Sequence, residues 1–303
     1  MEAEIINQYP ANLLHRCRGR KLIRNACEEY IIISIMSSLD YLSKRNPHER
    51  DSHISFVEET HVYTIDGDSD YLSVTTWIHR QFPRFNADAI IDKMMNGKRW
   101  SQSQYFGMTK AEIKAQWKEN GRKASEAGTK MHYDIECFYN NMTVSNESTE
   151  FDYFKRFDLA YREPFKPYRT EWTVYDKSLK MAGSIDMVFE NPDGTLQIYD
   201  WKRCKEIKRD NRWDSALTPC IGHLPDSNFW HYALQLNTYK GILERNYGKK
   251  VTDMVLVCLH PNNRNQSYIR IPVPDLSSEV NALFALRERV AKLMDPPAVK
   301  QTA

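Results

Sequence analysis

The sequence has no apolar run long enough to cross a membrane. Its longest apolar stretch near the start, YIIISIM at 30–36, falls far short of the roughly 20 residues a spanning helix needs and sits in no signal-peptide context. Cysteine is sparse and scattered. Cys17, Cys27, Cys137, Cys204, Cys220 and Cys258 form no C-x-x-C pair and no Cys/His group at zinc spacing, which argues against a zinc module or a disulfide framework and for free thiols in a reducing compartment. Neither sign of charge dominates. With 42 Lys and Arg against 40 Asp and Glu the formal net charge is +2, so a nucleic-acid partner would have to be met by a local patch. Internal repeats and low-complexity tracts are absent as well.

What remains is an ordinary globular composition, 41% hydrophobic and 27% charged over 303 residues, enough for one main domain with appendages. Residues 1–52 read as a helical N-terminal extension closing in the polar stretch SKRNPHERDSH, and 53–303 as the main domain. Arg16, Arg18, Arg20, Lys21 and Arg24 fit a basic helix face better than a transit peptide. The expected location is intracellular, cytoplasm or nucleus ahead of the mitochondrion, with a viral source left open.

Along the main domain, ISFVEETHVYTI and YLSVTTWI flank DGDSD at 66–70, which predicts a hairpin across that turn. Asn86 can cap a helix over about 87–96. Thr109 and Glu112 form a capping box opening a long helix to about Asn140, and another helix is expected over 148–162. Three strands follow at 170–176, 181–190 and 195–202, then a helix at 228–246, a strand at 251–260 and a last helix at 277–294.

The turn between the second and third strands is Asn191-Pro192-Asp193-Gly194-Thr195. Proline suits the first central position of a type I turn and glycine the left-handed residue after it, so a three-residue hairpin loop is expected. If Asn191 faces Thr195, paired positions sum to 386. Asp186 then lies opposite Asp200 and Ser184 opposite Lys202, all on one face. Two carboxylates facing each other repel, and a cation resolves the conflict. Hard divalent ions such as Mg²⁺ or Mn²⁺ take this kind of oxygen site together with waters and phosphate oxygens. Lys202 would set an ammonium beside the metal, where it could orient or activate the attacking water or stabilise charge developing on a phosphate.

His132 and Glu136 share one face of the long helix, and Gln235 and Tyr239 one face of the later helix. Glu171 is a further candidate carboxylate whose register the sequence leaves open. Residues 203–227 show no regular pattern, which is long for a loop in a compact domain and marks it as functional or mobile. Its Arg203, Lys205, Lys208, Arg209 and Arg212, with Trp213, combine attraction for phosphate with a stacking surface.

The ordered set His132, Gly183-Ser184-Ile185-Asp186, Asp200-Trp201-Lys202 and Gln235-Leu236-Asn237-Thr238-Tyr239 resembles the PD-(D/E)XK nuclease superfamily, in particular its RecB-like branch. That branch includes the mitochondrial genome maintenance exonuclease and nucleases of phages and large DNA viruses. SVTTWI at 73–78 is similar to the strand-to-helix junction of these enzymes. The resemblance implies a mixed α/β, restriction-endonuclease-like core, a central mixed sheet flanked by helices. It implies metal binding by Asp186, Asp200 and the Trp201 carbonyl, with His132 as an added ligand. Lys202 would assist the water, and Gln235 and Tyr239 would position the strand and the motif loop. The implied activity is Mg²⁺- or Mn²⁺-dependent hydrolysis of DNA, as an exonuclease favouring single strands or free ends, in DNA repair or replication. RNA is left open as a substrate, and a catalytically silent nucleic-acid-binding module is the alternative. Some relatives hold an iron–sulfur cluster on four cysteines. No cysteine group here has that spacing, so no cluster is expected.

Overall fold

The computed structural model describes residues 39–294. Most of the expected N-terminal extension, with Cys17, Cys27 and the basic and apolar stretches at 15–24 and 30–36, lies outside the described residues. The described helices are α1 (Tyr41–Arg45), α2 (Val74–His79), α3 (Ala87–Met95), α4 (Lys110–Tyr139), α5 (Thr149–Tyr161), α6 (Asn228–Asn246) and α7 (Ser277–Met294). The strands are β1 (Ile54–Val57), β2 (Val62–Ile65), β3 (Leu72–Ser73), β4 (Lys166–Asp176), β5 (Met181–Glu190), β6 (Leu196–Lys202), β7 (Val251–Cys258) and β8 (Ile269–Pro272). None of the described helices is long and apolar enough to cross a membrane.

Local chemistry accounts for the helix starts. The side chains of Ser73, Asn86, Thr109 and Ser148 each accept a backbone N–H in the first turn of α2, α3, α4 and α5, and Glu112 completes the capping box of α4. The hairpin expected across 66–70 is displaced. Asp66 and Gly67 do make a tight turn, both with positive φ, but it joins only Ile65 to Asp68. The longer pairing lies within the first run, β1 with β2 around residues 58–61, while β3 leaves to pair in parallel with β5.

The main sheet is mixed, ordered β3-β5-β6-β7-β8, with β4 antiparallel to β5 on its other edge. Alternation along its strands builds two apolar clusters. Leu196, Ile198 and Leu256 pack with α2, α6 and α7 on one face. Tyr199, Trp201, Val255 and Val257 pack with α4 and α5 on the other. The architecture is therefore a central mixed sheet flanked by helices, as expected. Residues 41–53 are stapled to β4: Arg169 Nη1 donates to Asp51 Oδ2 at 2.7 Å and Trp172 Nε1 to Asp51 Oδ1 at 3.0 Å.

Candidate active site

Asn191 N–H donates to the Thr195 carbonyl at 2.8 Å and Gly194 N–H to the Asn191 carbonyl at 2.9 Å, with Gly194 at φ 81°. This is the expected three-residue loop. It sets the expected register: Met187 faces Tyr199, Val188 faces Ile198, and Glu190 faces Leu196. The ladder stops at Met187, one residue short of Asp186. Past it, Asp186 Oδ2 accepts the Trp201 backbone N–H at 2.9 Å, a side-chain carboxylate standing where a backbone carbonyl would continue the sheet.

Asp186 also marks a slip in β5. Ile185 belongs to the first apolar cluster and Met187, two residues on, to the second, so alternation fails between them. Across the strand pair, Glu171 falls between the pairs Thr170–Met187 and Trp172–Ile185 and has φ 40°, a strained conformation for a non-glycine residue. Its carboxylate accepts Ser184 Oγ–H at 2.8 Å. The sequence-based expectation that Ser184, Asp186, Asp200 and Lys202 share one face is corrected by this slip: Ser184 and Asp186 both turn to Glu171 and His132 on the α4 side, whereas Lys202, paired with Asp200, lies over Tyr232 of α6.

On α4, His132 brings a ring nitrogen to each partner. Its Nε2 lies 2.9 Å from the Trp201 carbonyl, and its Nδ1 3.5 Å from Asp186 and 3.8 Å from Glu171. One ligand atom from each of His132, Glu171 and Asp186 lies within 4.8 Å of the others, close enough for one metal ion. Asp200 and Lys202 occupy the other part of the site, with Lys202 Nζ 2.7 Å from Asp200 Oδ2 and 4.5 Å from the centroid of the Tyr232 ring. Asp200 Oδ2 is buried and has no well-directed hydrogen bond, only that ionic contact. The Trp201 indole packs on Phe154 and Phe157 and fixes the end of β6, at the cost of a buried Nε1 without a partner.

The electrostatics are those of a cation site. Burial pushes Asp200 up to about 6, with the Asp186 charge adding to the effect of burial against the pull of Lys202. Burial likewise raises Asp186. Burial alone would lower His132, but Asp186 and Glu171 outweigh it and hold the ring up to about 9. Burial pushes Glu136, one turn further along α4, up to about 8, with Glu171 and Glu58 adding to it. Burial disfavours the Lys202 ammonium, yet Asp200 and Asp186 more than compensate, so its proton is held above the ordinary lysine range. Two carboxylates, an imidazole and a backbone carbonyl converge on one spot beside the Asp200–Lys202 pair, and in the metal-free protein the His132 proton and Lys202 offset the acids' charge. This donor set fits a hard divalent cation.

The signs give a testable pH dependence. His132 has a folded-state value above its unfolded value, so its stabilising contribution is complete below about 6.5 and is lost as pH rises through about 9. Asp200 is also raised, and metal-free stability falls for the same reason between about 4 and 6. A cation that replaces these protons offsets both losses. The gain in Tm on adding saturating Mg²⁺ should therefore increase from pH 6 to pH 9 by differential scanning fluorimetry. A gain independent of pH would show that no cation competes with the His132 proton.

Beneath β5, Gly183 leaves room for Tyr239 of α6. A Cβ at 183 would stand 2.8 Å from the Tyr239 Cε1 and hydroxyl. The Gln235 amide, one turn earlier, is 3.5 Å from that hydroxyl, a weak contact. Gly183→Ala should cost about 1–3 kcal/mol through overpacking of this buried ring. A denaturant melt matching wild type would mean that the ring moves aside freely.

Residues 203–227 have little regular structure, as expected, but they are tied down. Asn228 Oδ1 accepts Lys208 N–H at 2.8 Å, Trp230 Nε1 donates to the Arg209 carbonyl at 3.0 Å, and Asn211 Nδ2 donates to the Asp226 carbonyl at 2.7 Å. Of the basic residues singled out from the sequence, Arg203 is engaged with Glu150 at 2.6 Å and largely covered, and the Arg209 guanidinium lies 3.9 Å over Phe229. Lys205, Lys208 and Arg212 are exposed. Trp213 is 86% exposed, with Lys93 of α3 5.5 Å above its ring. Sequence reasoning missed Tyr232 and the strain at Glu171, and it set Ser184 opposite Lys202 where the structure has it donating to Glu171, because each depends on a neighbour that local rules do not place.

The profile of the PD-(D/E)XK nuclease superfamily matches residues 77–302, well over half of the chain. The chain belongs to the PD-(D/E)XK nuclease superfamily. Among solved structures, SSO0001 is 12% identical with a TM-score of 0.31, covering 87% of this chain and 86% of its own. A candidate exonuclease of Eubacterium rectale is 11% identical with a TM-score of 0.25, covering 52% of this chain and 71% of its own. Likenesses this distant carry no weight for function. No curated protein matches the chain. Membership in a nuclease superfamily makes nucleic acid the substrate class and phosphodiester hydrolysis the reaction, and divalent metal ions are the usual cofactors of such enzymes.

Proposed function

We propose that this PD-(D/E)XK protein is a Mg²⁺- or Mn²⁺-dependent deoxyribonuclease, an exonuclease of the RecB-like kind that favours single strands or free ends. The observation that carries this reading is the convergence of His132, Glu171 and Asp186 within 4.8 Å, beside the buried Asp200–Lys202 pair.

Asp186 and Asp200 would hold the metal, with His132, Glu171 and the Trp201 carbonyl completing its ligands. A bound divalent ion supplies Lewis-acid polarisation of the phosphodiester and a water acidified for attack. The chain's own groups do the rest. Lys202, kept protonated by Asp200 and Asp186, donates hydrogen bonds and stabilises negative charge on the phosphate; in that state it cannot act as a base. Trp201 N–H fixes the Asp186 carboxylate, and Ser184 fixes that of Glu171. Lys205, Lys208 and Arg212 of the 203–227 loop attract the phosphate backbone.

The test is cleavage of end-labelled single- and double-stranded DNA and RNA, each with free and blocked ends. Shortening of single-stranded DNA from a free end, with blocked ends resistant, is expected. Internal cutting of blocked substrates would refute the exonuclease reading, and binding without any cleavage would favour a catalytically silent module.

A further inference from the structure

Between Ile113 and Met131, residues 114–130 of α4 include no buried residue, a span of about 25 Å at 1.5 Å per residue. At its far end α3 packs on α4, and at its near end the helix packs on the sheet. A helix polar on all sides over such a length bridges two packed regions through solvent. The outer region is basic: residues 86–126 carry eight Lys and Arg against five Asp and Glu, a net +3 in a chain whose total is +2. It also displays aromatic surface. Phe85 is 75% and Phe106 59% exposed, and Phe85 leans on Trp117 at 6.2 Å between centroids.

We propose that this outer arm, α3 with the first half of α4, is a second contact for single-stranded nucleic acid, gripping the strand several nucleotides away from the metal centre. The proposal rests on the nuclease reading for the direction of the strand, and on the arm alone for the grip. An open groove of about 660 Å³ is lined there by Phe85, Ala87, Lys114, Trp117, Lys118 and Asn120. A second, of about 520 Å³, is lined by Lys93, Lys98 and Arg99 among others.

Much of the arm's charge is spent internally. Lys110 and Lys114 pair with Asp88 and Asp92, and Arg122 pairs with Glu119 and Glu126. Lys98, Arg99 and Lys118 have no carboxylate within ion-pair distance among the described residues; Lys118 shares the first groove with Phe85 and Trp117, and Lys98 and Arg99 line the second. Free cations alternating with open aromatic faces suit a strand whose bases are unpaired, because a duplex has already stacked its bases on one another. Trp213 extends the same surface to the 203–227 loop through its contact with Lys93.

The spacing sets a length requirement. Trp117 and His132 are fifteen positions apart on α4, about 22 Å, or on the order of six nucleotides at about 3.4 Å per nucleotide of one strand. A strand of five nucleotides seated at the metal centre falls short of the arm; one of twenty reaches it.

The experiment measures, without metal, the affinity of fluorescein-labelled oligothymidylates of five and twenty nucleotides, comparing wild type with Phe85→Ala/Lys118→Ala. Both side chains are exposed, and the melting temperature checks the fold. The Kd of the 20-mer should rise about tenfold or more, and that of the 5-mer should stay unchanged. Lys118→Ala alone should reduce the slope of log Kd against log salt by about 0.7 for the 20-mer. In cleavage the double variant should raise KM for the 20-mer with kcat unchanged. An unchanged 20-mer affinity overturns the proposal, and so does an equal loss for both lengths or for a 20-base-pair duplex. Since binding is read without metal, failure of the nuclease reading shows separately, as wild type that binds but never cuts.

Discussion

Asp186→Asn should reduce cleavage at saturating Mg²⁺ at least a hundredfold while leaving nucleic-acid binding near wild type. The substitution keeps the shape of the side chain and an oxygen that can accept the Trp201 N–H, so the end of β6 stays in place. What it removes is the charge that holds His132 protonated in the metal-free protein and that a cation would engage. It should therefore also lower the His132 titration from about 9 toward the ordinary histidine range, visible in the pH dependence of its imidazole NMR resonances. Lost activity with an unmoved His132 would show that Asp186 acts on the reaction without sharing a cation site with His132. Activity near wild type would displace the site altogether.

Lys202→Ala should cost about a hundred- to a thousandfold in kcat, the scale of removing one fixed donor from a developing anion. The ammonium is held by Asp200 and seated over the Tyr232 ring, so a replacement cation would need both contacts. Lys202→Arg keeps the charge but presents a planar fork in place of a compact ammonium, and it should recover only part of the rate. Truncation also leaves Asp200 buried without its cation, so metal-free Lys202→Ala should melt below wild type at neutral pH and regain stability in acid, where Asp200 is protonated. Steady-state kinetics on one labelled strand and melts at pH 5 and 7 check both effects. A full rate with alanine would remove Lys202 from the chemistry.

Much of the site was legible because it is built from local rules. The Pro192-Asp193-Gly194 turn fixed the 386 register that the ladder keeps from Glu190 to Met187, the residue beside Asp186, and caps such as Thr109 with Glu112 fixed where α4 begins, hence where His132 points. The slip at Asp186 was not legible. It arises from the positive φ of Glu171 and the parting of β5 from β6, and both are tertiary compromises that a regular two-residue alternation cannot encode. The displaced hairpin has a similar cause. Asp66-Gly67 is a good turn, but β3 pairs in parallel with β5 instead of extending the hairpin. The arm escaped notice for the opposite reason: Phe85, Trp117 and Lys118 carry no motif, and only the long unburied stretch of α4 shows that they stand apart from the core.

The central claim, that these residues form a divalent-metal nuclease centre, is tested most directly by the metal dependence of wild-type cleavage. An end-labelled single-stranded DNA is incubated with protein stripped of metal by a chelator, and Mg²⁺ or Mn²⁺ is then titrated back. A metal-dependent centre predicts no product without the ion, and saturable recovery on adding it. Full cleavage after stripping, unchanged by added metal, would contradict it.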